Sequence, residues 1–455
     1  MADLMEQKSR GAWSSKFGFL MAAVGSAVGL GNIWRFPYIA GQYGGALFLI
    51  IYIVVVAVLG FTMLTMEFTI GRYKNANVLD AFAMGKKKRS PIGWLCIFTP
   101  FLIVSYYNVI GGWIIKYLVG YIGGGSFVES GDYQGVFGGF TSDPLWSSVF
   151  TVVFLALSAG VLIFGVKKGI EKVSKFLMPA LFFIVIFVAI VSLTMPGAVE
   201  GLKYLFVPNF ESMQEAGFLN ILNAAMGQAF FSLSVGMGIS VTYGSYLKKD
   251  QNIPKSALIV CVLDTCVAVF AGLAIIPAVF SVGIEPTEGA GLIFVALPAV
   301  FKSLGGFGIV VAVLFFVLVL FAAWTSAISL LEVLIAAVEE KTPLGRKSST
   351  ALVVGVVLVT SLLVSLSQGG VFGNLDLLTL FDNITNKVLL PVTGILMCVF
   401  LVANIGVKNA QEELLLNCKH HSWAKVWGFA IKYVTPLLVF FIFVMGILGW
   451  IGVTV

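Results

Sequence analysis

The chain has 455 residues, of which 59% are hydrophobic and 11% charged, and its formal net charge is +6. Soluble domains carry about 25% charged residues, and the mean hydropathy here is +1.01, so a soluble enzyme, a nucleic-acid binder and a disordered chain are excluded. A transmembrane β-barrel alternates apolar and polar residues in runs of about ten, whereas the apolar runs at 179–192 and 308–323 are unbroken; an all-α polytopic membrane protein remains.

A span needs about 20 mostly apolar residues. Eleven transmembrane helices are predicted, at 16–38, 43–70, 91–122, 145–164, 169–195, 217–245, 255–281, 306–338, 350–367, 378–404 and 425–453. The first eleven residues are polar and the run after them is too long for a cleavable leader, so no signal peptide is expected. With the N-terminus in the cytoplasm, 23 of the 28 basic residues fall on the inner side. The positive-inside rule then sets the orientation, with Val455 outside and the cell membrane as the location. The five cysteines lie in spans or on the inner side, so no disulfide is expected. The run Cys418-Lys419-His420-His421 has no fourth ligand nearby and reads as a wet loop rather than a zinc site.

Two spans are poor helices at their centres. Span one carries Gly25, Gly29, Gly31, Asn32, Arg35 and Pro37, and span six carries Gln228, Ser232, Ser234, Gly236 and Gly238. Lipid cannot satisfy the freed backbone groups, so each break must line a cavity or bind something. Close packing of small residues explains the glycines, but it does not explain Asn32, Arg35, Ser232 and Ser234. Spans one and six correspond if 1–455 is one transporter domain built from two inverted five-helix repeats, 16–195 and 217–404, with an eleventh helix at 425–453. Interrupted helices at matching places in two halves point to a midplane site. Asp264 stands in mid-span, where an unpaired carboxylate costs several kcal/mol and marks a functional site by default. Its open readings are a cation ligand, a proton carrier, or a partner for a basic group. Glu67 and Glu332 are also intramembrane acids, read as structural hydrogen-bonding groups. No nucleophile–base pair or enzyme motif appears, so no catalytic residue is assigned.

The run from Ala22 to Pro37, with Gly71-Arg72, Tyr106-Tyr107, the segment from Gln228 to Ser234, and Thr325-Ser326, resembles the neurotransmitter:sodium symporter family. The resemblance covers nearly the whole chain, and the eleven-span count is similar to bacterial members. It implies a symporter with two sodium ions and no organic cofactor. The first sodium would be held by the Ala27 carbonyl, Asn32, Ser232, Asp264 and the substrate carboxylate. The second would be held by the Gly25, Val28 and Ala322 carbonyls with the Thr325 and Ser326 hydroxyls. A fixed charge at Asp264 implies independence of chloride.

The same resemblance implies a substrate pocket of Ser26, Ala27, Gly29, Gly31, Ile103, Tyr107, Phe231, Ser232, Ser234, Met237, Ser326 and Leu330. Relatives that carry monoamines place an aspartate where this chain has Gly29, so the substrate here is expected to bring its own carboxylate. The side-chain end carries no charge and would reject charged amino acids. The flexible Met237 suits several apolar ones. Hydrophobic amino acids, aliphatic and aromatic, are the expected substrates. Arg35 and Asp382 would form an outer gate through water, and Arg10 and Glu340 an inner gate with Trp13 and Tyr246 beside it. Gly169 and Pro179 weaken the cytoplasmic start of span five, so the segment could unwind and let water reach the second sodium site; a similar glycine–nine residues–proline pattern occurs in the family, and an ordinary proline kink would show the same residues. The rival readings are an ion channel and an amino-acid sensor on the same fold.

Overall fold

The computed structural model describes residues 12–83, 90–283, 291–418 and 422–452, apart from the side chain of Ser212. Among them it is all-helical, with one isolated β-bridge between Gly45 and Pro208. The main elements, in chain order, are α1 (Lys16–Ala27) and α2 (Gly31–Gln42), α3 (Ala46–Lys74), α4 (Pro91–Ile122), α5 (Pro144–Leu162) and α6 (Val166–Leu193). After two short surface helices come α7 (Phe218–Ser232), α8 (Ile239–Ser245) and α9 (Ile253–Ser281). The short apolar α10 (Leu292–Ser303) precedes α11 (Gly306–Lys341), α12 (Arg346–Gln368), α13 (Leu377–Ile405) and α14 (Ala424–Trp450).

Among the described residues, nine of these helices are long and apolar enough to cross a membrane, and α1 with α2 make a tenth span bent by 48°. The predicted span at 217–245 is present as two helices, α7 of 15 residues and α8 of 7 residues, each too short to cross alone. The count of eleven therefore holds only if both interrupted segments are counted as single spans. The apolar α10 is not predicted from sequence, because a short apolar run carries little periodic signal.

Helix starts follow local chemistry. Ser15 accepts from the Gly18 N–H at the start of α1. Ser90 and Asp143 cap α4 and α5, each followed by a proline at the first turn, where the missing N–H costs nothing. Asn252 caps α9 in the same way. The second break is held by unusual backbone. Ser234, Gly236 and Gly238 have φ of +52°, +80° and +74°, and a serine in the left-handed region is strained.

α4 packs along α11 and α5, while α1 packs on α6 and α11. The two interrupted segments thus sit inside the bundle, against α4 and α11. A buried cross-link ties a loop at Gln251 and the short helix Val407–Leu414 to α3. Arg72 donates to Glu413 Oε1 at 2.6 Å and to the Gln251 carbonyl at 2.6 Å, with side-chain exposures of 1% for Arg72 and 11% for Glu413. Removing one partner of a buried ion pair leaves an uncompensated charge. Glu413→Ala is expected to cost about 3 kcal/mol, read as a lowered unfolding temperature in detergent. An unchanged unfolding temperature would contradict this assignment.

Candidate functional site: a midplane cavity between two interrupted helices

A small cavity lies where the breaks meet α4 and α11. The first break contributes Ser26, Ala27, Gly29 and Gly31, and α4 contributes Ile103 and Tyr107. The second break contributes Phe231, Ser234 and Met237, and α11 contributes Ser326 and Leu330. Eleven of the twelve residues expected at the pocket therefore line one cavity, and none of them is charged. The twelfth, Ser232, turns its hydroxyl toward Asp264 instead.

Both glycines sit where neighbouring side chains approach closely. A Cβ at Gly29 would stand 2.6 Å from Ser326 Oγ and 3.0 Å from the Tyr107 hydroxyl, and one at Gly31 would stand 2.9 Å from the Phe231 ring. The freed backbone groups find partners across the breaks. The Leu30 N–H donates to the Tyr107 hydroxyl at 3.1 Å. Gln228 Nε2 donates to the Gly31 carbonyl at 2.7 Å. The Ser234 hydroxyl donates to the Ser26 carbonyl at 2.8 Å, and the Gly236 N–H donates to Glu67 Oε1 at 2.6 Å.

Beside the cavity the chain gathers an oxygen-rich cluster around Asp264, which is fully buried. Asn32 Nδ2 donates to Asp264 Oδ1 at 2.8 Å, Ser232 Oγ to Oδ2 at 2.8 Å, and the Tyr52 hydroxyl to Oδ2 at 3.3 Å. No basic side chain forms an ion pair with Asp264 among the described residues. Asn32 Oδ1 accepts the Gly29 N–H at 3.0 Å, which ties this cluster to the first break. Tyr52 is a site residue that sequence reasoning misses, whereas Gln228 is named there only as part of the second break and not with a partner. Tyr52 sits in an apolar run where a tyrosine reads as core, and its partner lies far along the chain.

A second cluster joins the first break to α11. Ser326 Oγ lies 3.5 Å from the Gly25 carbonyl, 3.4 Å from that of Ser26 and 3.5 Å from that of Val28. Thr325 Oγ1 lies 3.0 Å from the Phe321 carbonyl and 3.2 Å from that of Ala322. A Cβ at Gly25 would touch Met178 Sδ at 3.1 Å and Thr325 at 3.2 Å, so α6 closes this cluster from the third side. Both clusters offer neutral or anionic oxygens, the ligand type of hard cations.

The expected gate residues are brought together only in part. Arg35 stacks over the Phe231 ring, 5.1 Å from its centroid. Among the described residues it makes no direct ion pair with Asp382, whose Oδ1 accepts from Asn386 at 2.7 Å. Arg10 lies outside the described residues, as do Lys419, His420 and His421. Glu340 accepts from Asn77 Nδ2 at 2.7 Å. Trp13 donates to the Tyr243 carbonyl at 3.1 Å and packs on the Tyr243 and Tyr246 rings. The Tyr246 hydroxyl donates to Glu332 at 2.9 Å, and Arg346 closes on that same carboxylate. Tyr246 thus supports Glu332, a pairing that the sequence does not reveal. Gly169 lies in a π-helical turn, and Pro179 lies inside the helix that follows it.

Residues 10–124 and 146–453 match the profile described as the Sodium:neurotransmitter symporter family. The chain belongs to this family. An uncharacterized sodium-dependent transporter of Bacillus subtilis is 38% identical to it over 98% of this chain and 100% of its own length. A second uncharacterized sodium-dependent transporter, from Haemophilus influenzae, is 33% identical over 96% of this chain and 98% of its own. Among solved structures, MhsT in complex with L-phenylalanine superposes with a TM-score of 0.87 at 37% identity, over 96% of this chain and 100% of that one. The symporter family is one of multi-pass membrane transporters that use sodium, not of enzymes.

Gly29 offers a direct check on the geometry. A sodium ion that binds only the folded chain raises its unfolding temperature by mass action. Gly29→Ala is expected to push Ser326 off the first break and to abolish most of that rise. A sodium response equal to that of the parent would contradict the close approach of Gly29 to Ser326.

Proposed function

We propose that the chain is a sodium-coupled symporter that imports hydrophobic L-amino acids, aliphatic and aromatic, by alternating access. The observation that carries this reading is the pairing of an uncharged cavity with a fully buried carboxylate at Asp264 that faces only neutral donors. A buried charge without a basic partner is costly, and a bound cation would offset that cost. One sodium would sit among Asn32, Ser232, Asp264 and the Ala27 carbonyl, completed by the substrate carboxylate. A second would sit among the Gly25, Val28 and Ala322 carbonyls and the Thr325 and Ser326 hydroxyls.

The substrate carboxylate would lie by the backbone of residues 29–31 and the Tyr107 hydroxyl. The ammonium would meet the Ser26, Phe231 and Ser232 carbonyls and Ser326, with Phe231 as the lid. Ile103, Met237 and Leu330 would receive the side chain. Charged side chains would be desolvated there without partners. The complex of MhsT with L-phenylalanine supports an aromatic amino acid as one substrate. The chain would lie in the cell membrane with its N-terminus inside and Val455 outside. Arg35 with Asp382 would gate the outer side, and Arg10, Glu340, Trp13 and Tyr246 the inner side.

Equilibrium binding of radiolabelled tryptophan to purified protein tests the reading. Binding is expected in sodium and not in potassium, displaced by leucine but not by glutamate or serotonin. Absence of sodium-dependent binding, or displacement by glutamate, would overturn it. The fixed charge at Asp264 also predicts chloride independence. Asp264→Asn is expected to lower uptake at least tenfold in chloride-free medium and to regain part of it when chloride is added. Stimulation of the parent by chloride at fixed sodium would count against the assignment.

A further inference from the structure

The first turn of the continuous helix within α6 holds a carboxylate that neither the cavity nor the two oxygen clusters use. Glu171 has a side-chain exposure of 1% and lies two residues after Gly169. Its Oε2 accepts the Ser14 N–H at 2.7 Å. Its Oε1 accepts from the hydroxyls of Ser14 and of Ser15, the latter at 3.0 Å. Lys175, one turn along, pairs with the same oxygen at 2.7 Å. Ser15 is at the same time the residue that caps α1, its hydroxyl accepting the Gly18 N–H at 3.0 Å. The fit leaves no slack, since a Cβ at Gly18 would stand 2.0 Å from Glu171 Oε1. One carboxylate therefore holds the cap of α1 against the stretch between Gly169 and Pro179.

We propose that Glu171 is a positioning residue that latches the start of α1 to this stretch of α6, and that its release lets the two part on the inner side. The proposal rests on the symport reading. The geometry gives the coupling its direction. Gly25 on α1 faces Met178 on α6, with Met178 Sδ 3.1 Å from where a Cβ would be. Parting the helices at the Glu171 end therefore opens the oxygen cluster of Gly25, Val28 and Ser326 from the same side. Charged hydrogen bonds are stronger than neutral ones yet exchangeable with water, which suits a contact that must open and close.

The test uses the full chain with Met178→Cys as reporter, because Met178 is fully buried between these helices. Thiol alkylation at position 178 is followed in sodium for the parent, for Glu171→Gln, for Ser14→Ala with Ser15→Ala, and for all three changes together. Gly18→Ala, which displaces the carboxylate with its charge intact, is a fifth arm. Each change is expected to speed labelling at least tenfold, and the combination no further, because contacts that act as one unit are not additive. Buried Cys261 and Cys398 are the internal controls. Labelling at 178 that is unchanged, that rises in step with those two cysteines, or that adds across the variants would overturn the latch. The parent reporter also separates the two claims. If sodium does not slow its labelling, the symport reading fails, while the ratio between variant and parent still decides the latch.

Discussion

Two spans give up helical hydrogen bonds in the middle of the bundle, and the rest of the site follows from where the freed backbone groups go. Lipid offers them nothing, and a buried N–H or C=O without a partner is costly. Here the partners come from neighbouring elements. Tyr107 of α4 takes the Leu30 N–H, and Glu67 of α3 takes the Gly236 N–H. Gln228 and Ser234 of the second interrupted segment donate to carbonyls of the first. The breaks are thus fastened to each other as well as to the scaffold, and the cavity is the space between them.

The same arrangement explains why small residues and an acid stand where they do. Gly29 and Gly31 let Ser326, Tyr107 and Phe231 come close to the first break. Asp264 can remain in mid-span because Asn32, Ser232 and Tyr52 all donate to it, although none of them neutralises it. In the proposed symport, sodium supplies that charge and the gradient supplies the work. A tenfold sodium gradient with a potential of about 100 mV is worth roughly 3.7 kcal/mol per ion. Two ions would give about 7 kcal/mol, enough for accumulation of a zwitterion by about 10⁵.

Much of this is legible in the residues, and the exceptions share a cause. Clusters of Gly, Asn and Ser inside apolar runs locate both breaks, because such residues weaken a helix wherever they sit. Eleven of the twelve expected pocket residues line the cavity, and Asp264 is conspicuous as a mid-span charge. Pairings between distant elements are what a sequence does not display. Tyr52 looks like core until the structure places its hydroxyl by Asp264. Glu332 is separated from Tyr246 and Arg346 by sequence but not in space. Ser232 belongs to two expected sets, and only the structure turns its hydroxyl toward the acid. Span six keeps both its expected place and its expected interruption, and the positive φ angles at Ser234, Gly236 and Gly238 are how the backbone makes it.

The central claim is that sodium occupancy beside Asp264 is coupled to movement of a neutral amino acid. The most direct measurement is uptake of labelled phenylalanine into proteoliposomes containing the purified chain. An inward sodium gradient and an inside-negative potential are imposed together, then each alone. Accumulation above the outside concentration is predicted, and it should require sodium, grow with the potential and disappear when the sodium gradient is collapsed. Equilibration of phenylalanine without sodium, or a sodium conductance that persists without any amino acid, would contradict the claim.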